Sequence, residues 1–132
     1  MEYDTVIGLE THCQLKTQSK MFCACANKFG ADPNTNVCPV CLGMPGVLPV
    51  PNERALQRTA LTGYLLNCEV SKFAKFDRKN YFYADLPQGY QISQYQHPVV
   101  GEGAIVLDMP DGKTREIGIE RLHIEQDAGK SI

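Results

Sequence analysis

The chain has 132 residues, of which 43% are hydrophobic and 21% are charged, and its formal net charge is −2. This length and composition fit one domain that buries its own core, and they exclude a chain dominated by disorder. No apolar run approaches the roughly 20 residues that span a bilayer, and the start lacks the features of a signal peptide, which predicts a cytoplasmic protein.

Residues 3–16 alternate with the period of two that is typical of a β-strand. The apolar face of this predicted strand consists of Tyr3, Ile7, Leu9, Cys13 and Leu15. Glu10 and His12 share the opposite, polar face. Residues 22–51 follow as an irregular stretch rich in Cys, Asn, Gly and Pro. Because such a stretch cannot build an apolar core of its own, it needs another source of stability.

A helix is predicted next, because Asn52 is a good N-cap that follows Pro51. Apolar residues then recur at helical spacing, at Ala55, Leu56, Ala60, Leu61, Tyr64 and Leu65. The pattern ends near Asn67 and predicts a core helix that packs on a sheet.

Strands are predicted again in the second half of the chain. The Tyr-Phe-Tyr run at 81–83 consists of strong strand formers, and residues 85–90 have the composition of a turn. Basic side chains gather nearby, at Lys72, Lys75, Arg78 and Lys79. A nucleic-acid patch and a solvated strand edge both fit this cluster, and the charge pattern favours the solvated edge.

A hairpin is predicted near the end of the chain, with strands at 103–108 and 114–126 joined by a turn at 110–113. The apolar face of the second strand switches sides, which predicts a bulge near 120–121. These elements together predict an α+β fold, a mostly antiparallel sheet with one core helix and a cysteine-bearing loop at 22–51.

Two close pairs of cysteines lie in that loop, Cys23 with Cys25 and Cys38 with Cys41. In a reducing compartment, clustered cysteines indicate a metal more often than disulfides. Four thiolates suit a structural zinc ion, because they leave no open position for catalysis. Reduced cysteines of a lost metal site, or an oxidised pair, are the alternatives. The remaining cysteines are expected to be small core residues, Cys13 and Cys68.

A second group of potential ligands involves both ends of the chain. His123 and Glu125 lie two residues apart on the last predicted strand, as Glu10 and His12 do on the first. If these strands are neighbours, two carboxylates and two imidazoles converge, which suits a hard ion such as Mg²⁺ or Mn²⁺. Ordinary polar faces of half-buried strands are the commoner explanation of such a pattern. The chain has no GxxxxGK[ST] loop and no GxGxxG fingerprint, so no phosphate-loop motif indicates a nucleotide.

Three stretches of the sequence resemble one family. They are IGLETHCQL at 7–15, DRKNYFYADLPQGYQISQ at 77–94 and ERLHIEQDAGK at 120–130. In order, they are similar to the GLE-H-QL opening, the RKNYFYPDLPKGYQISQ signature and the ER-H-EEDAGK segment of one protein family. That family comprises the B subunits of the aspartyl/glutamyl-tRNA(Asn/Gln) amidotransferases, the GatB/GatE family. The match covers essentially the whole chain, and the cysteine pattern matches that of zinc-bearing members.

The resemblance implies a ligase that forms a carbon–nitrogen bond with glutamine as the amide donor. Members of this family form a heterotrimer with an amidase subunit (the A subunit) and a small subunit (the C subunit). The B subunit uses ATP and Mg²⁺ to phosphorylate the carboxylate of Glu on tRNA(Gln) or of Asp on tRNA(Asn). Ammonia from the amidase reaches the acyl phosphate through a channel and displaces the phosphate, which gives the correct amide.

The resemblance also implies ligands for the catalytic Mg²⁺ ion. His12 and Glu125 are carried over as its ligands, and Glu10 lies close to them in the same role. His123 and Asp127 are carried over as residues that support the ion and the nucleotide.

Further roles follow from the same resemblance. Lys79 is carried over as a catalytic residue that lines the ammonia route or contacts phosphate. The residues expected to shape the nucleotide pocket are Tyr81, Tyr83, Asp85 and Gln91. For the two tyrosines, plain core packing is an equal alternative. The zinc ligands carried over are Cys23, Cys25, Cys38 and Cys41.

The chain departs from the family pattern at three positions. Ala84 stands where Pro is usual, which affects only the stiffness of a turn. Gln88 stands where Lys is frequent, which removes a positive charge near the expected ammonia channel. Gln126 replaces a second acidic residue after Glu125, so the expected metal-binding face has one negative charge fewer.

Family members continue well beyond residue 132. We therefore expect residues 1–132 to be the amino-terminal part of the catalytic domain, with residues 22–51 as its zinc-binding loop. The tRNA-binding helical domains are absent from this length, and we expect the chain alone to be catalytically inactive.

Two other functions fit parts of the sequence. A zinc-ribbon module that holds a complex together without chemistry explains the cysteine loop, but it makes the convergence of Glu10 and His12 with His123 and Glu125 a coincidence. An RNA-binding zinc domain fits less well, because the sequence lacks a basic stripe with interleaved aromatic residues.

Overall fold

The computed structural model describes residues 3–80, 82–84 and 86–126 of the chain. These residues form one helix and four strands: α1 (Glu53–Leu65), β1 (Asp77–Asn80), β2 (Tyr90–Ser93), β3 (Gly103–Asp108) and β4 (Thr114–Ile119). Two antiparallel sheets result, one of β1 with β2 and one of β3 with β4. The predicted α+β class is confirmed, with the antiparallel strands divided between two small sheets.

Asn52 begins the helix as predicted. Its side-chain oxygen accepts hydrogen bonds from the backbone N–H groups of Arg54 and Ala55, at 3.0 and 3.3 Å. Its side-chain nitrogen donates to the Ser19 hydroxyl at 2.9 Å, which ties the helix start to the segment before the cysteines. The helix ends close to the predicted point, and Asn67 follows it with a φ of +55°. Asn tolerates this left-handed conformation, which is common just after helices.

The buried face of α1 differs from the predicted one. Its buried residues are Ala55, Thr59 and Gly63, whereas three predicted core residues are exposed, Leu61, Tyr64 and Leu65. Small residues make the contact because α1 lies very close to Val100. A Cβ atom on Gly63 would lie 2.7 Å from a Val100 methyl carbon. Apolar periodicity missed this contact because Gly63 contributes no apolar side chain.

The hairpin of β1 and β2 pairs Asp77 with Ser93 and Asn80 with Tyr90. Its connection contains the predicted turn, in which the Gly89 N–H donates to the Leu86 carbonyl at 3.0 Å. The predicted strand at 81–83 is wrong for the residues that the structure describes. Phe82 and Tyr83 lie in the connection between the two strands, because the pairing of β1 with β2 ends with Asn80 and Tyr90.

The hairpin of β3 and β4 lies at the predicted place and turns through Gly112, which has a φ of +78°. The second strand ends at Ile119, well before the predicted end at residue 126. Beyond it the chain pairs with a different partner, because Leu122 forms a β-bridge with Val100. The predicted change of face near 120–121 therefore reflects a change of partner rather than a bulge within one strand.

The predicted strand at 3–16 is wrong. The structure assigns no strand there, and Tyr3, Ile7 and Leu9 are exposed. A period of two shows which side chains share a face, but a strand also needs a neighbour to accept its backbone hydrogen bonds. Cys13 in the same segment is exposed, which corrects its prediction as a core residue, whereas Cys68 is buried as predicted.

The core is centred on Val100, which is fully buried and forms β-bridges with both Val70 and Leu122. The buried residues around it are Phe22, Cys68, Ile92, Val99 and Ile124. Phe22 also packs edge-to-face on Phe76, with 5.2 Å between the ring centroids. The start of the cysteine loop is therefore anchored in the same core as the last described segment. No helix in the described part of the chain is long and apolar enough to cross a membrane.

Candidate functional site

The four cysteines of the loop form one compact cluster. The Cys41 sulfur lies 3.6 Å from that of Cys23, 3.8 Å from that of Cys38 and 4.0 Å from that of Cys25. Four sulfurs around a tetrahedral zinc, each about 2.3 Å from the ion, are about 3.8 Å apart. In the described residues, no other group of three or more His, Cys, Asp or Glu side chains has its potential ligand atoms within 4.8 Å of one another. The cluster therefore fits a four-coordinate metal such as zinc.

Local backbone turns present these sulfurs. Around the second pair, the N–H groups of Leu42 and Gly43 donate to the carbonyls of Cys38 and Val40, both at 3.1 Å. Around the first pair, Ser19 forms an antiparallel bridge with Ala26. Short turns of this kind direct several side chains of one loop to the same point, so the cluster forms without a surrounding sheet.

The thiols of the cluster differ in acidity. Burial raises the pKa of Cys23 to about 12, and it also raises the pKa of Cys25. A hydrogen bond from the backbone N–H of Cys41 lowers the pKa of Cys38 to about 7. Cys38 therefore loses its proton more readily than Cys23 and Cys25, which hold theirs at neutral pH unless a cation is bound. All six cysteines of the chain are free thiols.

The second predicted group also comes together, although not on paired strands. The Nδ1 atom of His12 lies 3.8 Å from Oε1 of Glu125, and its Nε2 atom lies 3.6 Å from Oε1 of Glu10. The other oxygen of Glu125 lies 3.5 Å from Nε2 of His123. The four side chains form a line, in the order Glu10, His12, Glu125 and His123. They are less compact than the cysteine cluster.

Exposure differs along this line. Glu10 and His12 are 75% and 69% exposed, whereas Glu125 and His123 are only 24% and 23% exposed. The inner pair is more buried, and the Ser93 hydroxyl donates to Glu125 at 3.4 Å. The outer pair lies on the irregular segment at the start of the chain. Glu125 is thus the best-supported carboxylate of the group.

Three glutamines hold the segment that carries Glu125. Gln88 donates to the side-chain oxygen of Gln126, and Gln91 donates to its backbone carbonyl at 2.6 Å. The buried oxygen of Gln94 accepts from the Ile124 N–H at 3.1 Å. Each residue from 124 to 126 is therefore bound to β2 or to Gln94, which follows it, because the Gln126 N–H donates to the Ile92 carbonyl and Glu125 accepts from Ser93.

The other predicted site residues are less central in the structure. Lys79 is exposed on β1 and pairs with Gln91 in the strand register. Among the described residues, no ion pair joins it to Glu10 or Glu125. Tyr83 is exposed in the connection between β1 and β2, which argues against core packing for this tyrosine. Three predicted residues lie outside the described part of the chain, Tyr81, Asp85 and Asp127.

The sequence interpretation missed two features of these sites. One is Lys20, whose ammonium group lies 3.5 Å from the Cys41 sulfur. The other is the supporting role of Gln91 and Gln94. The three-residue spacing of Gln88, Gln91 and Gln94 is a sequence signal, but it gives no information about the segment that they bind.

Comparison with known proteins confirms the predicted family. The family model described as the GatB/GatE catalytic domain matches residues 5–132, which is nearly all of the chain. The chain belongs to the GatB/GatE catalytic domain family. Its relatives include proteins named as the B subunit of aspartyl/glutamyl-tRNA(Asn/Gln) amidotransferase. The one from Thermodesulfovibrio yellowstonii is 57% identical over 132 residues, which is all of this chain and 28% of that protein.

Two further relatives with the same name show the same extent of similarity. The protein from Thermoanaerobacter pseudethanolicus is 55% identical over all of this chain and 28% of its own length. The protein from Symbiobacterium thermophilum is 56% identical over 99% of this chain and 27% of its own length. This GatB/GatE chain therefore spans little more than a quarter of the relatives that it matches.

Proposed function

We propose that this chain is the amino-terminal part of the B subunit of an amidotransferase, which activates the carboxylate of Glu on tRNA(Gln) or of Asp on tRNA(Asn). The contact between His12 and Glu125 is the observation that carries the proposal. It joins the two ends of the described chain, and each end bears a motif that resembles the family. A zinc scaffold has no need for this convergence.

The group fits a divalent ion in its donor chemistry. Carboxylate oxygens with few nitrogens suit Mg²⁺ or Mn²⁺. The donor atoms of His12 and Glu125 lie 3.8 Å apart, which is close enough for one ion to reach both. We assign these two residues as ligands, with Glu10 beside them and His123 as the residue that orients Glu125.

The reaction requires that a carboxylate become a better electrophile, because oxide is a very poor leaving group. ATP with Mg²⁺ supplies a phosphoryl group, and phosphate is then the group that ammonia displaces. In this proposal Glu125 and His12 would hold the divalent ion that neutralises the phosphates, and Lys79 would contact phosphate or line the ammonia route. Tyr81, Asp85 and Asp127 complete the proposed nucleotide site.

The cysteine cluster has a structural role in this proposal. Its four sulfurs fit zinc, and a fully thiolate site leaves no position for a reacting water. The ion holds residues 22–51 in place of an apolar core. We propose that the partners are the amidase and the small third subunit of the heterotrimer, and that tRNA-binding helical domains lie outside residues 1–132.

An amidation assay tests the proposal. The full-length protein, combined with the amidase and the small third subunit, is given mischarged Glu-tRNA(Gln), glutamine, ATP and Mg²⁺. We expect Glu125→Ala to abolish ATP-dependent formation of Gln-tRNA while the glutaminase activity of the amidase is retained. Glu116→Ala is the matched control, because Glu116 is exposed on β4 and, among the described residues, forms no ion pair with the group. Equal amidation by wild type and Glu125→Ala removes Glu125 from the mechanism.

The second candidate is a zinc module that organises a complex without chemistry. It is favoured by the compactness of the cysteine cluster compared with the line of Glu and His residues. Under this hypothesis Glu125→Ala leaves amidation unchanged, whereas loss of the cysteines disassembles the complex. The same assay therefore separates the two functions.

A further inference from the structure

Lys20 contacts three separate parts of the cysteine loop. Its backbone N–H donates to the carbonyl of Cys25 at 2.9 Å, beside the first cysteine pair. Its ammonium group donates to the carbonyl of Asn36 at 2.5 Å, in the segment between the pairs. The same ammonium group lies 3.5 Å from the sulfur of Cys41, in the second pair. Lys20 is itself half-buried, so these contacts are partly shielded from water.

The Cys41 sulfur lies close to every other sulfur of the cluster. Each of the other three sulfurs lies within 4.0 Å of it. Four thiolates around a doubly charged cation make a doubly negative centre, so the sulfurs repel one another even when the ion is present. A positively charged donor at Cys41 reduces this repulsion at a sulfur that has three close neighbours.

We propose that Lys20 is a positioning residue of the metal centre, which donates a charge-assisted hydrogen bond to the metal-bound thiolate of Cys41. The inference rests on the proposed zinc at the four cysteines. Groups that hydrogen-bond to metal ligands orient those ligands, and their loss typically lowers metal affinity by about 10–100-fold. Lys20 does this while its second bond, to Asn36, fixes the segment between the two cysteine pairs.

Lys28, which lies within the loop, provides a comparison. Lys28 lies after the first cysteine pair, but it is exposed, and no contact joins it to a cysteine sulfur in the described residues. If only the overall charge of the loop mattered, both lysines would stabilise the metal to a similar extent. The hydrogen bond to Cys41 distinguishes Lys20.

The test measures metal retention in the full-length protein. Zinc transfer to a competing chelator is compared for wild type, Lys20→Met, Lys20→Arg and Lys28→Met. We expect Lys20→Met to lower zinc affinity by about 10–100-fold. Lys20→Arg, which keeps a charged donor, should recover most of the loss, and Lys28→Met should match wild type. Equal retention in Lys20→Met and wild type overturns the role of Lys20, whereas a wild-type protein that binds no zinc overturns the zinc proposal as well.

A spectroscopic measurement separates the hydrogen bond from a general effect on folding. In the Co²⁺-substituted protein, a donor to a thiolate stabilises the sulfur electrons and raises the energy of sulfur-to-cobalt charge transfer. We expect this absorption band to move to lower energy in Lys20→Met and to stay in place in Lys28→Met. Lys20→Gln, which keeps a neutral donor, gives a second variant if Lys20→Met does not fold. A band at the wild-type energy in both Lys20 variants overturns the proposal.

Discussion

Gln88 and Gln126 are bound to each other, since the side-chain amide of Gln88 donates to the side-chain oxygen of Gln126. By the resemblance to the family pattern, in which Lys is frequent at the first position and an acidic residue stands at the second, these are also the two positions at which the chain departs in charge. The two departures therefore form one contact. Compared with the family pattern, the two glutamines remove one charge of each sign and keep a hydrogen bond between the turn and the segment of Glu125.

This contact predicts that the two positions are energetically coupled. Gln88→Lys or Gln126→Glu alone places a charge in a partly buried contact with no opposite charge at the other position, and because desolvation of that charge is unfavourable, we expect each to lower the free energy of unfolding by about 1 kcal/mol. The double variant should be close to wild type, because lysine and glutamate can pair. Denaturant titrations of the four proteins give the coupling energy, which we expect to be about 1 kcal/mol. Strictly additive effects would contradict the contact.

Gly43 joins the cysteine loop to the same turn, because a Cβ atom there would lie 2.7 Å from the Cα atom of Gln88. Its φ is +62°, in the left-handed region. We expect Gly43→Ala to lower the free energy of unfolding by about 3 kcal/mol, from backbone strain together with the clash. Gly30→Ala is the control, because Gly30 has a φ of +75° with no atom within 4 Å of a Cβ. That variant should lose only about 1 kcal/mol, and equal losses would show that the clash is relieved at no cost.

The buried Gln94 connects three segments. Its side-chain oxygen accepts from the N–H groups of Val99 and Ile124, and its nitrogen donates to the carbonyls of Lys75 and His97. Gln94→Leu leaves the buried N–H groups of Val99 and Ile124 without this acceptor, and we expect it to lower the free energy of unfolding by about 2–4 kcal/mol. Gln96→Leu, at an exposed position nearby, should change it by less than about 0.5 kcal/mol. A stability of Gln94→Leu similar to that of Gln96→Leu would argue against this hydrogen-bond hub.

Features that depend only on residues close together in the sequence could be predicted from it. The Asn52 cap fixes the start of α1, Gly112 fixes a turn, and the cysteine spacing predicts the metal-type cluster, because each of them acts over a few residues. The strand at 3–16 failed because a strand is a relationship between two segments. The contact face of α1 failed because Gly63, which has no side chain, makes its closest approach to the core.

The candidate Glu and His site shows the same division. The spacing correctly grouped Glu10 with His12 and His123 with Glu125, and the two pairs do meet. The predicted reason for their meeting, adjacent strands, was wrong. What holds Glu125 in place is a set of long-range hydrogen bonds from the segment between Gln88 and Gln94. No local pattern identifies the partners of those side chains, since glutamine side chains are mostly found exposed to solvent.

Metal binding by the cysteine cluster should depend steeply on pH. Burial raises the pKa of Cys23 to about 12 and raises that of Cys25, so both thiols carry a proton at pH 7 in the absence of metal. Zinc binds thiolates, so it must displace these protons, and its apparent affinity must rise as the pH rises. With at least two protons released, we expect an increase of about 100-fold per pH unit between pH 6 and pH 7. Calorimetric titrations in buffers of different ionisation enthalpy count the protons directly. Release of fewer than about one proton per zinc would mean that the thiols are already ionised, and that burial does not control their acidity as the structure indicates.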